Sequence, residues 1–333
     1  MVKLTDITHA NAALKSLPPL TAVVVGGTNG IGLSFLTHLT KTTTSPKIYI
    51  IGRDASSLTS LVATLQSLNS SGTYIPITTP DLTLVRNAQT AALEILNHEP
   101  SHIDILYLSP GYLTFARRDE SPEGLDRPTA LRYYSRLRII LTLLPLLSKA
   151  PQGGRVIDVL GGGQEGAIFP DDLALKESAH TNAITAASAA GTYTTLVFEE
   201  LAKQYPRVSF VHTFPGVVRT KAYQRPEHLG PVARILFNWV MFPLFGWLFE
   251  TGVEEAGART LYAATSSEFG PRELDGEGKA VGSDGEKGSG AYTVNEKSEV
   301  VRNEKVLGRL REEGLGSRIW EFTVGEFERI LGN

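Results

Sequence analysis

The feature that most constrains the fold is a glycine-rich segment at residues 25–32 (VGGTNGIG), called here the glycine turn. It follows a β-branched apolar run at 21–25 (TAVVV), which is typical of a buried parallel strand. After it, apolar residues recur at helical spacing from Ile31 to Leu39. This placement predicts a dinucleotide site, because the amides at a helix N-terminus can bind a pyrophosphate. A glycine turn without a ligand is the weaker alternative.

Strands and helices keep alternating beyond the glycine turn. Further strands are predicted at 47–51, 74–78, 103–108, 155–160 and 208–213, and further helices at 56–68, 84–96, 130–147 and 181–204. This alternation indicates βαβ units. We therefore predict an α/β fold of the Rossmann type, a doubly wound parallel sheet with helices on both faces.

The end of the chain differs in composition from the alternating part. Residues 271–290 are rich in Gly, Glu and Lys, which predicts a mobile surface loop, and C-terminal helices are predicted at 300–313 and 319–331. We predict one dinucleotide-binding domain over 1–265, which includes a substrate lid at 222–250. The flexible loop and the C-terminal helices, at 266–333, would pack on the same domain.

Composition excludes several kinds of partner. The chain has 32 Lys and Arg against 35 Asp and Glu, a net charge of −3, so we expect no nucleic-acid partner. It has no cysteine, and we predict no metal site. The N-terminus lacks the apolar core of a signal peptide, and Arg234, Asn238 and Pro243 interrupt the apolar segment 231–249. We therefore expect a cytoplasmic protein without a transmembrane span.

The glycines of the turn have distinct predicted roles. Gly26 permits the tight turn, Gly30 lets the backbone approach the pyrophosphate, and Gly32 allows close packing of helix on strand. The residues predicted to contact the cofactor in this turn are Gly26, Thr28, Asn29, Gly30, Ile31 and Gly32.

The Gly-xxx-Gly-x-Gly spacing of the turn resembles the fingerprint of the short-chain dehydrogenase/reductase family. Three later motifs in the same order also resemble that family: Asp81-Leu82-Thr83, Ser109-Pro110-Gly111 and Pro215-Gly216-Val217-Val218-Arg219-Thr220. The resemblance implies that Asp81, with Leu82 beside it, contacts adenine, and that Ser109 and Gly111 lie beside a ribose. It also implies nicotinamide contacts from the residues Pro215, Gly216, Val218 and Thr220.

The residue after the second strand bears on the choice of cofactor. Gly52-Arg53-Asp54 lies where the adenine ribose of a dinucleotide would bind. An arginine there can pair with the 2′-phosphate of NADP, whereas a carboxylate would bind the 2′-hydroxyl of NAD. We predict NADP(H) as the preferred cofactor and NAD(H) as the alternative. A solvated loop residue is the other interpretation of Arg53.

The catalytic residues that the resemblance implies are absent. The family uses a Tyr and a Lys spaced YxxxK on one helix face, a Ser after the fifth strand and an Asn one helix earlier. None of the 11 tyrosines has a Lys four residues later. Alignment places Ala187 and Gly191 at the Tyr and Lys positions, 160–163 (LGGG) at the Ser position and Arg132 near the Asn position.

Three polar residues are candidates to replace them: Arg132, Glu165 and Tyr193. Arg132 could hold a carbonyl or a carboxylate, and Glu165 lies on the loop that faces the nicotinamide in the family. Tyr193 follows the Tyr position by about two helical turns. Packing or surface exposure is the alternative for each, and His212 receives less weight because it occupies none of the family's positions.

The missing residues also bear on the substrate. Hydride transfer to a neutral ketone needs a proton donor, whereas transfer to an iminium does not, so cationic or conjugated acceptors suit this chain better. The aromatic residues of the lid at 222–250 favour a bulky hydrophobic substrate, and packing against the sheet or a dimer contact explains them equally well. The motifs 133–136 (YYSR), 161–163 (GGG) and 319–320 (IW) resemble divergent fungal members of secondary-metabolite pathways.

Three functions therefore remain open. The first is an NADP(H)-dependent oxidoreductase with a non-standard catalytic site, the second a non-redox cyclase or isomerase, and the third a non-enzymatic NADP(H)-binding protein. Fold alone does not decide among them. The resemblance further implies a homodimer or homotetramer formed through the two helices that flank the catalytic face.

Overall fold

A computed structural model describes residues 2–112, 114, 118–177, 182–218, 251–274 and 278–332. Within these ranges, seven strands form one parallel sheet: β1 (Thr21–Val25), β2 (Lys47–Gly52), β3 (Thr73–Thr78), β4 (Ile105–Leu108), β5 (Gly154–Val159), β6 (Val208–Thr213) and β7 (Ala291–Val294). Their order across the sheet is β3-β2-β1-β4-β5-β6-β7. The order reverses between β1 and β4, and open α/β sheets bind ligands at such a point, outside the carboxyl ends of the strands.

In the described part of the chain, helices precede, connect and follow these strands. They are α1 (Leu4–Ala13), α2 (Gly30–Thr42), α3 (Ala55–Leu68), α4 (Val85–Asn97), α5 (Ser135–Leu147), α6 (Ala183–Gln204), α7 (Val253–Thr265), α8 (Glu304–Glu312) and α9 (Leu315–Leu331). One α-helical turn, Arg127–Thr129, and a π-helical segment, Ala130–Tyr134, lead directly into α5. The π-helical geometry is rare in proteins and occurs frequently at functional sites.

The two faces of the sheet carry separate apolar cores, because successive side chains of a strand point to opposite faces. On β1, Val23 and Val25 pack with α4, α5 and α6, whereas Ala22 and Val24 pack with α2, α3 and α7. Both faces are thereby covered by helices, as a parallel sheet requires.

The predicted Rossmann-type fold is confirmed. All six predicted strands are present, with ends that differ by at most two residues from the prediction. The sequence analysis missed α1 and β7. β7 has only four residues, 291–294 (AYTV), and a run of that length is too short for a period of two to be recognised.

Several described residues of the segment 271–290 are buried, which differs from the surface location predicted for this loop. Ser283 and Ser289 are buried, and Ser283 Oγ donates a hydrogen bond to Glu199 Oε1 at 2.8 Å. Arg311 Nη2 donates to the carbonyl of Ser283 at 2.8 Å. The segment leads into β7, so residues beyond 265 complete the main sheet, and the domain division at 265 stays a prediction.

The C-terminal helix α9 packs on α6 and α4 through one apolar face. Its buried residues recur every three or four positions: Leu315, Ile319, Thr323, Phe327 and Ile330. Thr323 Oγ1 and the Tyr133 hydroxyl share a hydrogen bond of 2.8 Å, and the Phe327 ring meets the Tyr134 ring edge to face. The helix thus covers the π-helical segment and one side of α6.

Candidate cofactor and active site

The backbone of the glycine turn has a conformation that other residues would strain. Gly26 and Gly30 have φ angles of 89° and 58°, which L side chains rarely adopt. A Cβ on Gly32 would lie 2.3 Å from the Gly26 carbonyl oxygen, and a Cβ on Gly26 would lie 2.9 Å from the Pro110 nitrogen. The three glycines therefore let α2, β1 and the segment after β4 approach one another closely.

The N-terminus of α2 has the features of an anion site. Asn29 is the residue before the helix, and its side chain makes no capping hydrogen bond, so it does not occupy the amides of the first turn. Asn29 is exposed, and Thr28, Gly30 and Ile31 are half-buried. The helix dipole and these amides together favour a bound phosphate group. These residues fit the pyrophosphate of a dinucleotide.

The two charged side chains that follow β2, Arg53 and Asp54, have different environments. Asp54 Oδ1 caps α3, accepting hydrogen bonds of 2.7 Å from the Ser57 amide and of 2.7 Å from the Ser56 hydroxyl. Hydrogen bonds from Ser57 and Ser56 lower the pKa of Asp54 to about 2. Arg53 is exposed at the strand end. The carboxylate is thus engaged in a helix cap, and the guanidinium is accessible to a ligand.

Asp81 and Ser109 lie on the segments that follow β3 and β4. Asp81 Oδ1 accepts hydrogen bonds from the amide and the hydroxyl of Thr83, at 2.8 and 2.7 Å, and its Oδ2 lies 3.2 Å from Arg127 Nη1. Leu82 is buried. Ser109 Oγ donates to the carbonyls of the β1 end, at 3.4 Å to Val25 and 3.5 Å to Gly26. The exposed Gly111 follows.

The last motif, on the segment after β6, is described only up to Val218. Gly216 has a φ of 79°, and a Cβ there would lie 2.6 Å from Thr251 Oγ1. Pro215 is half-buried and Val218 is buried. Thr220, the predicted lid at 222–250 and the apolar segment 231–249 lie outside the described residues. Where the chain is described, no helix is long and apolar enough to cross a bilayer.

At the end of β5, the candidate site is bordered by the backbone of residues 161–163, called here the backbone wall. A Cβ on Gly162 would lie 2.0 Å from the carbonyl oxygen of His212, and Gly163 has a φ of 83° with Val301 Cγ2 at 2.3 Å from its Cβ position. A serine at either position would collide with these neighbours. On α6, a Cβ on Gly191 would lie 3.8 Å from the Gly161 oxygen and 3.8 Å from His212 Cε1.

The three predicted catalytic residues take separate partners. Arg132, in the π-helical segment, donates from Nη2 to the carbonyl of Tyr112 at 3.3 Å. Glu165 accepts from Thr195 and from the Gly163 amide. Tyr193 is 1 % exposed, and its hydroxyl donates to the carbonyl of Leu173 at 3.2 Å. The geometry favours packing over catalysis for Tyr193, and catalytic roles for the other two stay predictions.

Sequence reasoning missed Thr195, which contacts both Glu165 and His212. Thr195 Oγ1 lies 2.7 Å from Glu165 Oε1 and 2.8 Å from His212 Nδ1. Burial, and to a smaller extent the positive charge of Arg136, lowers the pKa of His212 to about 3. The imidazole is therefore neutral at pH 7, so its approach to within 3.9 Å of Glu165 Oε1 is not an ion pair. No sequence motif links these three residues.

The parallel sheet, the glycine turn after β1 and the accessible amides of α2 define the class of Rossmann-type proteins. No model of a known protein family matches the chain. It is 38% identical over 339 residues to "Oxidoreductase AN1596" of Emericella nidulans, with 99% of each chain covered. It is 36% identical to the "NmrA-like family domain-containing oxidoreductase notO" of an Aspergillus species, with 98% of this chain and 95% of the relative covered.

A third relative names the family directly. The "Short-chain dehydrogenase/reductase SAT2" of Stachybotrys chartarum is 30% identical, with 99% of this chain and 98% of the relative covered. The chain therefore belongs to this family of short-chain dehydrogenase/reductase-type fungal oxidoreductases, and the resemblance inferred from the motifs is confirmed.

Solved structures agree on the fold. A short-chain dehydrogenase from Sphingobium yanoikuyae in complex with NADPH has a TM-score of 0.52 at 18% identity, over 73% of this chain and 84% of that one. An NADPH-bound carbonyl reductase from chicken fatty liver has a TM-score of 0.54 at 17% identity, over 86% of this chain and 100% of that one. At these identities the similarity extends to the fold alone.

Proposed function

We propose that this protein is an NADP(H)-dependent oxidoreductase that acts on a bulky hydrophobic substrate of the secondary-metabolite type. The observation that carries the proposal is the difference between two segments at the same edge of the sheet, one after β1 and one after β5. The glycine turn after β1 has the geometry that a pyrophosphate needs, whereas the wall after β5 has backbone where the family has a catalytic Ser. We infer that the cofactor site is retained and that the family's proton-transfer residues are replaced.

The preference for NADP(H) rests on the residues after β2. Because the Asp54 carboxylate caps α3, it is not positioned to bind a ribose 2′-hydroxyl as the carboxylate of NAD-binding proteins does. Arg53 is accessible at the same strand end and can bind a 2′-phosphate through charge-assisted hydrogen bonds. Two solved structures with this fold, a short-chain dehydrogenase and a carbonyl reductase, hold NADPH, which supports the same choice.

The residues at the family's catalytic positions restrict the kinds of reaction that this site can catalyse. A bound NADPH would supply the hydride. Ala187 and Gly191 provide no hydroxyl or ammonium group, and Gly162 and Gly163 have no room for a hydroxymethyl group. The residues at these four positions are thus poorly suited to protonate an alkoxide. We infer that the acceptor is an iminium or a conjugated double bond rather than a simple ketone.

The first experiment titrates the protein with NADPH and NADH and follows nicotinamide fluorescence. We expect tighter binding of NADPH, weakened about tenfold by Arg53→Ala, which corresponds to about 1.4 kcal/mol. Arg309→Ala removes another exposed arginine, on α8, and serves as the matched control. Equal affinity of Arg53→Ala and the unchanged protein for NADPH would refute the phosphate contact.

The second experiment follows NADPH consumption with cyclic iminium salts, enones and simple ketones. We expect turnover with the first two classes and little with ketones. Efficient oxidation of simple secondary alcohols by NADP⁺ would contradict the proposal. Product formation without any change in the cofactor would instead identify a cyclase or an isomerase.

A further inference from the structure

A buried chain of hydrogen bonds runs beneath the segment that follows β5. The Gly161 amide donates to His212 Nε2 at 3.0 Å, so that nitrogen carries no proton. His212 Nδ1 then carries the proton and donates it to Thr195 Oγ1 at 2.8 Å. The Thr195 hydroxyl donates in turn to Glu165 Oε1 at 2.7 Å. Each group in this series therefore donates a hydrogen bond to the next, from the Gly161 amide to Glu165 Oε1.

Glu165, the last acceptor in this series of hydrogen bonds, also contacts the segment 161–163 in which the series begins. Its Oε1 also accepts the Gly163 amide at 3.0 Å, and the side chain of Asn303 donates to its backbone carbonyl at 2.8 Å. The Glu165 side chain is fully buried, and its Oε2 has no hydrogen-bond partner among the described residues. A buried carboxyl with an unsatisfied oxygen is unfavourable, so its presence points to a role beyond stability.

The segment 161–163 needs such support because three consecutive glycines have the largest backbone freedom of any sequence. Two of its amides donate hydrogen bonds to buried side chains, Gly161 to His212 and Gly163 to Glu165. Gly162 lies against the His212 carbonyl, with no space for a side chain. The turn therefore has a fixed backbone although it has no side chains of its own.

We propose that Glu165, Thr195 and His212 are positioning residues that fix the 161–163 backbone against the nicotinamide half of the cofactor. They act through hydrogen bonds to the backbone, and none of them transfers a proton to the substrate. The proposal rests on the proposed function, since it assumes that this edge of the sheet receives a nicotinamide.

The test compares isosteric and truncating variants by their affinity for two probes. NADPH spans the whole site, whereas 2′,5′-ADP binds only its adenosine half. We expect Glu165→Ala and Thr195→Val to weaken NADPH binding about tenfold, because small displacements of positioning groups have large effects, while 2′,5′-ADP binding is unchanged. Glu165→Gln keeps an oxygen that accepts from Gly163 and Thr195, so it should retain the original affinity.

Thr194→Val is the matched control for Thr195→Val. Thr194 is the neighbouring buried threonine on α6, and its hydroxyl has no hydrogen-bond partner among the described residues. This variant should bind both probes as the unchanged protein does. If Glu165→Gln loses as much NADPH affinity as Glu165→Ala, or if Glu165→Ala binds NADPH normally, the positioning role is refuted.

A cofactor-free measurement separates this proposal from the proposed function. In the unliganded protein, hydrogen exchange of the Gly161 and Gly163 amides should be slow, and Glu165→Ala should accelerate exchange at Gly163 while Glu165→Gln does not. Nitrogen NMR should find the proton of His212 on Nδ1. A proton on Nε2, or unchanged exchange at Gly163, overturns the chain of hydrogen bonds. If the unchanged protein binds neither NADPH nor 2′,5′-ADP, the proposed function fails, and with it the nicotinamide role.

Discussion

Arg136 and Asp158 form a buried ion pair that joins α5 to β5. Their side chains are 3% and 2% exposed. Arg136 also donates from Nη1 to the carbonyl of Val159 at 3.0 Å, from Nε to the carbonyl of Leu131 at 3.2 Å and from Nη2 to the carbonyl of Pro110. One guanidinium thus connects the π-helical segment, the end of β5 and the segment after β4, all at the candidate site.

Loss of this ion pair should destabilise the fold strongly. Burial raises the pKa of Asp158, and the positive charge of Arg136 opposes that rise. Asp158→Asn would leave a buried guanidinium without its counter-ion, which we expect to lower the free energy of unfolding by about 3–5 kcal/mol. Urea unfolding measures the change. Glu286→Gln breaks the exposed pair with Arg272 and should change stability by about 1 kcal/mol or less. Equal effects of the two variants would contradict the prediction.

The backbone wall after β5 predicts opposite results for two neighbouring glycines. A Cβ on Gly161 would meet only Gln164 Cβ, at 3.8 Å, whereas a Cβ on Gly162 would overlap the His212 carbonyl. Gly161→Ser should therefore fold with near-original stability, and Gly162→Ser should lose about 1–3 kcal/mol or more. Thermal or urea unfolding of both variants checks this. Similar stability of the two would mean that the wall yields to a side chain.

The buried imidazole of His212 predicts an acid-dependent loss of stability. Its pKa is about 3 in the folded protein and about 6.5 in an unfolded chain. Between these values the unfolded chain binds the extra proton, so the free energy of unfolding falls as the pH falls below about 6.5. The contribution approaches about 1.4 kcal/mol per pH unit. His212→Gln lacks it.

Urea unfolding at pH 7.5, 6.0 and 5.0 compares His212→Gln with the unchanged protein. We expect the free energy of unfolding to decrease more steeply with acid in the unchanged protein. Parallel pH profiles would show that the residue titrates normally in the folded state.

The position of α9 predicts a monomer. The resemblance implied a homodimer or homotetramer through the helices that flank the catalytic face, but in this chain α9 covers one side of α6 and the π-helical segment. Light scattering after size exclusion should therefore give the mass of a single chain. A dimer that persists at micromolar concentration would contradict this prediction.

Helix α9 should also be part of the stable core rather than an appendage. Phe327 is 4% exposed, and Phe327→Ala should lower the free energy of unfolding by about 3–5 kcal/mol. The neighbouring Glu328 is exposed, and Glu328→Ala is the control. A Phe327→Ala variant as stable as its control would mean that α9 contributes little to the fold.

Local patterns were sufficient to predict most of the sheet and the cofactor edge. The β-branched runs of β1 and β2 and the helical spacing of α3 are properties of neighbouring residues, and so is the need for Gly26 and Gly30 at positive φ. The absence of a YxxxK pair could also be derived from the sequence alone, because it concerns which residues are present.

The sequence alone therefore determined the Rossmann-type fold, the glycine turn and the absence of a YxxxK pair. Only the tertiary structure decided the contacts of Glu165, because Thr195 and His212 reach it from other elements, 30 and 47 residues further along the chain. It also decided the placement of β7 and α9. Hydrogen bonds and packing between distant segments depend on how the sheet is folded, and no periodicity along the chain records them.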